Sequence, residues 1–143
     1  MATLSLARAN KMIREAFTKA KELDLKPIAV VVYDSGGNLK AFQSQDGASI
    51  NRFQIASGKT RAALATGTGS RWANAQAAER PHFLTGLTSV IEGGVVPVPG
   101  GVLARDGKGN IVAAVGISGD TSDNDEAAAV SAIEACGLSA DIG

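Results

Sequence analysis

The chain has 143 residues, 45 % of them hydrophobic, and its fourteen basic residues balance fourteen acidic ones. That length suits one domain, residues 1–143, able to bury roughly 68–70 % of its unfolded surface. The even, interspersed charge excludes the long-range field that a nucleic acid or an anionic membrane would select, and one cysteine (Cys136) with one histidine (His82) excludes an intrachain disulfide and a structural zinc site.

In chain order, Leu6, Ala9, Ile13, Ala16, Phe17, Ala20 and Leu23 recur at helical spacing and predict an amphipathic helix from Ser5 to Leu23. The first ten residues lack the basic flank and apolar centre of a secretory signal, and no apolar run approaches the ~20 residues that span a bilayer. The expectation is a cytoplasmic protein without a membrane partner. Lys26-Pro27 stops the helix, and Ile28–Tyr33, apolar on both faces, predicts a central strand. Asp34-Ser35-Gly36-Gly37-Asn38 reads as a turn that returns Leu39–Gln43 antiparallel.

Ser49–Thr66 predicts a second main helix, carrying Arg52, Lys59 and Arg61. Thr66–Glu92 reads as irregular apart from a short helix over Asn74–Glu79, which puts His82 in a loop and makes this third of the chain a place for function or for an interface. Gly93–Gly101 leads, through Pro97 and Pro99, into a second hairpin: Val102–Arg105 and Ile111–Ile117 joined by Asp106-Gly107-Lys108-Gly109-Asn110. A polar stretch to Asp123 then opens a helix over Asn124–Cys136, with Asp123 and Glu126 as a capping pair. The order of helices and hairpins implies an α+β fold with helices packed on an antiparallel sheet.

Several residues are candidates for chemistry. His82 is the one side chain whose ordinary pKa lies near neutrality, so a general acid or base, or an axial haem ligand, would converge on it; the alternative is an exposed loop histidine. Asp120 and Asp125 flank the start of the last helix and suit either a ligand or an acid/base role once capping accounts for Asp123 and Glu126. Arg52 and Lys59, two helical turns apart on one face, suit a ligand carboxylate, or else are solvated surface charge. Gly100 and Gly101 permit close backbone approach, at the floor of a pocket or between subunits.

The stretch from Pro97 to Ala135, with G-G-V before the hairpin, then V-G-I-S-G and D-x-D-E-A, resembles the GlcG, HbpS and PduO-C-terminal family, often labelled the haem-degrading domain family. The resemblance implies a profilin-like or PAS-like core with a five-stranded antiparallel sheet, assembly as a homo-oligomer, and haem or another tetrapyrrole as cofactor or ligand. Lys59 falls where relatives often place a lysine. Asn38 stands where many carry histidine, and Asp120 where a small residue is usual. The resulting expectation is a protein that binds a small ligand, haem or a carboxylated metabolite, between the second helix and the sheet. A small catabolic enzyme using His82 for proton transfer, and an accessory structural subunit, are the alternatives.

Overall fold

The computed structural model describes residues 3–143. Helix α1 (Leu6–Glu22) is capped by Ser5, whose hydroxyl accepts from the Arg8 N–H at 3.1 Å, and its Ala9, Met12, Ile13, Ala16 and Ala20 are buried at the predicted spacing. A first hairpin follows, β1 (Ala29–Asp34) and β2 (Leu39–Ser44), and then α2 (Arg52–Thr66), which ends at Gly67 in the left-handed conformation. Two further helices, α3 (Ser70–Glu79) and α4 (Pro81–Val90), precede the second hairpin, β3 (Gly101–Arg105) and β4 (Ile111–Ser118). Helix α5 (Ser122–Glu134) and a short β5 (Ser139–Asp141) complete the chain.

The five strands form one antiparallel sheet in the order β2-β1-β4-β3-β5, so the strand expected to be central is flanked on both sides. Helices α1 and α5 cover one face, burying Val30, Val32, Val115 and Ile117 beneath Met12, Ile13, Ala129 and Ile133. Helix α2 lies on the other face. It gets unusually close because Gly101 and Gly116 are cross-strand partners there: a Cβ on Gly116 would collide with the Ala56 carbonyl, and one on Gly101 with the Lys59 carbonyl. The helix therefore rests on the sheet by its backbone.

Both hairpin turns are built alike. Asp34 accepts from the N–H groups of Gly36 and Asn38 at 3.0 and 2.9 Å, and Asp106 accepts from those of Lys108 and Asn110, both at 2.9 Å. The asparagine side chain at the end of each turn donates back to the same aspartate. These backbone donors, Asn38 and Asn110 foremost, hold both carboxyls below the usual carboxylate range.

Two sequence expectations are corrected. The segment expected to be irregular apart from a helix over Asn74–Glu79 holds α3, which includes that helix and starts earlier, at Ser70, and also α4, so His82 is the second residue of a helix and not part of a loop. Neither helix has a side-chain N-cap, and α4 contains Gly86 with several β-branched residues, which left little local signal. They form through tertiary contact, Ala62, Ala73 and Leu84 making a small second core, with Trp72 and Phe83 edge to face at 6.0 Å. The cap of α5 is Thr121, whose hydroxyl accepts from the Asn124 N–H; Glu126 foremost and Asp123 with it instead grip the Arg71 guanidinium and raise its pKa. The fifth strand, implied only by resemblance, is fixed by Arg105 pairing with Asp141 at 2.9 Å across the β3–β5 edge.

Candidate functional site

The structure brings most of the candidate residues into one buried knot, and it closes that knot. The Lys59 ammonium lies 3.0 Å from Asp125 Oδ2 and donates to the Ile117 carbonyl at 2.8 Å; the side chains are 2 % and 1 % exposed. Asp125 Oδ1 accepts from the Asp120 N–H at 3.0 Å. Burial pushes the Lys59 pKa down from its ordinary value, and the Asp125 charge opposes that shift. Gly100 sits against the Lys59 side chain, where a Cβ would come within 2.9 Å of Nζ, and Gly101 under the Lys59 backbone. Arg52 donates to Ser118 Oγ at 3.1 Å on the rim. Lys59 thus holds the fold's own carboxylate, and the two glycines floor a helix contact and not a pocket.

Asp120 and His82 are not brought together: no hydrogen bond or ion pair joins them, and His82 is exposed on α4. Asp120 has an architectural task. Its Oδ1 accepts from the Thr121 N–H at 2.8 Å and from Asn124 Nδ2 at 2.7 Å, and its Oδ2 from the Lys26 N–H at 2.9 Å, which ties the start of α5 to the segment before β1. These donors, Asn124 first, lower its pKa from 3.8 to about 2. A carboxyl whose folded pKa lies below its unfolded value stabilises fully above the unfolded value, and the benefit disappears as pH falls through the folded one. Asp120→Asn is therefore expected to lower stability near neutral pH by about 1 kcal/mol. The deficit relative to the parent should shrink between pH 4 and pH 2 in urea titrations. A deficit constant across that range would remove the charge from the explanation.

The opening with the most apolar walls lies at the hairpin end of the sheet. A groove of about 290 Å³ runs between the end of β1 (Tyr33) and the turn after it (Ser35, Gly36, Gly37), the outer face of α2 (Arg61, Leu64, Ala65) and Ile91, just after α4. Its walls are mainly apolar. The Tyr33 hydroxyl is turned to Ser57 Oγ at 2.9 Å, and Arg61 is the one cationic side chain lining it among the described residues. Two larger depressions at the end of α1, near Gln45, are bordered by Lys21, Asp24 and Asp46, charged residues that suit them to solvent more than to an apolar ligand. Tyr33, Leu64 and Ile91 carried no sequence signal as site residues, being ordinary strand and helix residues far apart in the chain. Among the described residues no cluster of His, Cys, Asp and Glu has the arrangement of a metal site, and no helix is long and apolar enough to cross a membrane.

An antiparallel five-stranded sheet with two helices on one face, a third pressed on the other and an open end at the first hairpin defines an α+β class with solved representatives. PduOC, solved as a heme complex, superposes with a TM-score of 0.83 at 26 % identity, covering 96 % of this chain and 97 % of that one. The Klebsiella pneumoniae protein ORFY, assigned to DUF336, also gives 0.83, at 25 % identity over 96 % of this chain and 92 % of that one. At the level of sequence, the family model described as haem degrading protein HbpS-like matches residues 4–134, and the chain belongs to that family. A Citrobacter freundii relative, an uncharacterized 15.0 kDa protein in the dhaT-dhaS intergenic region, is 31 % identical over 134 residues, covering 94 % of this chain and 92 % of its own length.

Proposed function

We propose that this protein binds a flat, largely apolar ligand with carboxylate arms, haem or another tetrapyrrole foremost, in the groove between the first hairpin turn and α2. The observation that carries the reading is the groove itself, an opening with mainly apolar walls and one guanidinium on a fold shared with a chain solved as a heme complex. At about 290 Å³ it stands at the lower end of ligand pockets, which run from ~300 to 1,000 Å³. One edge of a macrocycle fits; the remainder would face solvent or a second copy.

The donor set fits the macrocycle and its carboxylates, not an imidazole-ligated iron. None of the groove residues is a histidine, methionine or cysteine, and the phenol of Tyr33 is engaged by Ser57. Asn38 braces Asp34 in the turn. Haem, when bound, brings a redox-active iron; this chain contributes shape, apolar contact and the charge of Arg61. The enzyme alternative draws no support from geometry, because His82 and Asp120 stand apart and Asp120 is fully engaged. The proposal retains the homo-oligomer, for which Ile50 at 94 % and Val90 at 77 % exposure supply apolar contact points.

Haemin titration followed by Soret absorbance, with light scattering on the same samples, tests these points. The parent and His82→Ala should titrate alike, without a low-spin histidine spectrum, whereas Ala65→Trp, which fills the groove from an exposed helix position, should weaken binding at least about tenfold. A lost Soret shift in His82→Ala would move the site to α4. A monomer mass would remove the assembly from the reading.

A further inference from the structure

We infer that Arg61 selects a carboxylate in this groove and that the carbonyls of Gly93 and Gly94 aim it; the inference rests on the groove being the ligand site. A guanidinium is a planar fork with five N–H donors, and its edges are separate recognition surfaces. Here one edge is occupied by the protein: Nε donates to the Gly94 carbonyl at 2.7 Å and Nη2 to the Gly93 carbonyl at 2.9 Å. Both glycines are left-handed, with φ of 83° and 70°, a pairing that other residues adopt only under strain. A Cβ on Gly93 would stand 3.1 Å from the central carbon of the guanidinium, closer than an ordinary van der Waals contact, so the turn approaches the fork tightly.

The turn is itself closed by the Gly94 N–H donating to the Ile91 carbonyl at 2.8 Å, so the residues that fix the guanidinium and the apolar wall supplied by Ile91 form one unit. Nη1 makes no hydrogen bond to another described residue, and the side chain is partly exposed where it lines the groove. The Nη1–Nη2 end is thus the free edge, the one that a carboxylate meets with two parallel hydrogen bonds. Arg61 is the one charged group that lines the groove: the Tyr33 hydroxyl is held by Ser57, Ser35 offers a single neutral hydroxyl, and the remaining positions are glycine or apolar. The ligand class follows: an apolar body that ends in a carboxylate, bound as the anion.

Metal-free protoporphyrin IX and its dimethyl ester separate carboxylate recognition from iron ligation. Fluorescence titrations of the parent should favour the diacid by about tenfold or more. Arg61→Gln should erase the preference while leaving ester binding in place. Arg61→Lys, which keeps the charge without the fork, should retain only part of it and serves as the deciding variant should Arg61→Gln fail to fold. Equal binding of diacid and ester by the parent, or an undiminished preference in either variant, would overturn the assignment of Arg61. Ala65→Trp distinguishes the other failure: unchanged binding of both porphyrins there would place the ligand outside the groove altogether.

Discussion

Asp125→Ala is expected to lower stability by ~3–5 kcal/mol, because it leaves the Lys59 ammonium buried with no opposite charge. The pair is enclosed: the side chains are 2 % and 1 % exposed, Nζ–Oδ2 is 3.0 Å, and the remaining partners are the Ile117 carbonyl and the Asp120 N–H. The same burial that presses the Lys59 pKa downward makes an unpaired ammonium there costly. For a domain of this size the melting temperature should fall by roughly 10 °C or more. Replacing both partners together, Lys59→Met with Asp125→Leu, should recover most of the loss, since the cost lies in the orphaned charge and not in the absence of the pair. Denaturant unfolding of the two single variants and the double would show it. A single Asp125→Ala variant within about 1 kcal/mol of the parent would mean that water reaches the pair and screens it.

The second large effect is expected from one methyl group. Gly116→Ala places a Cβ against the Ala56 carbonyl, 2.6 Å from Thr60 Cγ2 and 2.9 Å from Val31 Cγ2, so α2 has to lift from the sheet. Overpacking costs ~1–3 kcal/mol where side chains yield, and here the obstacle is helix backbone, which puts the expected loss at or above ~3 kcal/mol. Gly107→Ala, in the open β3–β4 turn with nothing near its Cβ, is the control and should stay within ~0.5 kcal/mol of the parent. Equal melting temperatures for the two variants would show that the close approach of α2 is not a constraint on the fold.

The sequence revealed what periodicity and punctuation encode. Helix α1 was legible because its apolar residues sit on one face, and both hairpins because Asp, Gly and Asn mark their turns. Of α3 only the second half, Asn74–Glu79, was legible, and of α4 nothing, since Ala62, Ala73 and Leu84 meet across the fold and Trp72 packs on Phe83, while caps and local propensity contribute little. The site shows the same division. Lys59, Asp125, Gly100 and Gly101 stood out by residue type and do come together, yet their chemistry is turned inward. The groove is lined by Tyr33, Leu64 and Ile91, whose types are unremarkable and whose proximity depends on how the first hairpin turn meets α2. No spacing along the chain announces such a meeting.

The matched hairpin turns bear on how the chain finds its fold. Every bond that braces Asp34 and Asp106 closes within four residues, so each hairpin carries its own register before any sheet exists. What local chemistry leaves undecided is the seam between the hairpins, where β1 pairs with β4 and Ala29 meets Ser118. Joining it closes a loop that contains β2, α2, α3, α4 and β3. The entropy of that closure has to be met before the seam returns any contact energy, so the search for the native topology reduces largely to docking two ready-made ribbons along a single edge.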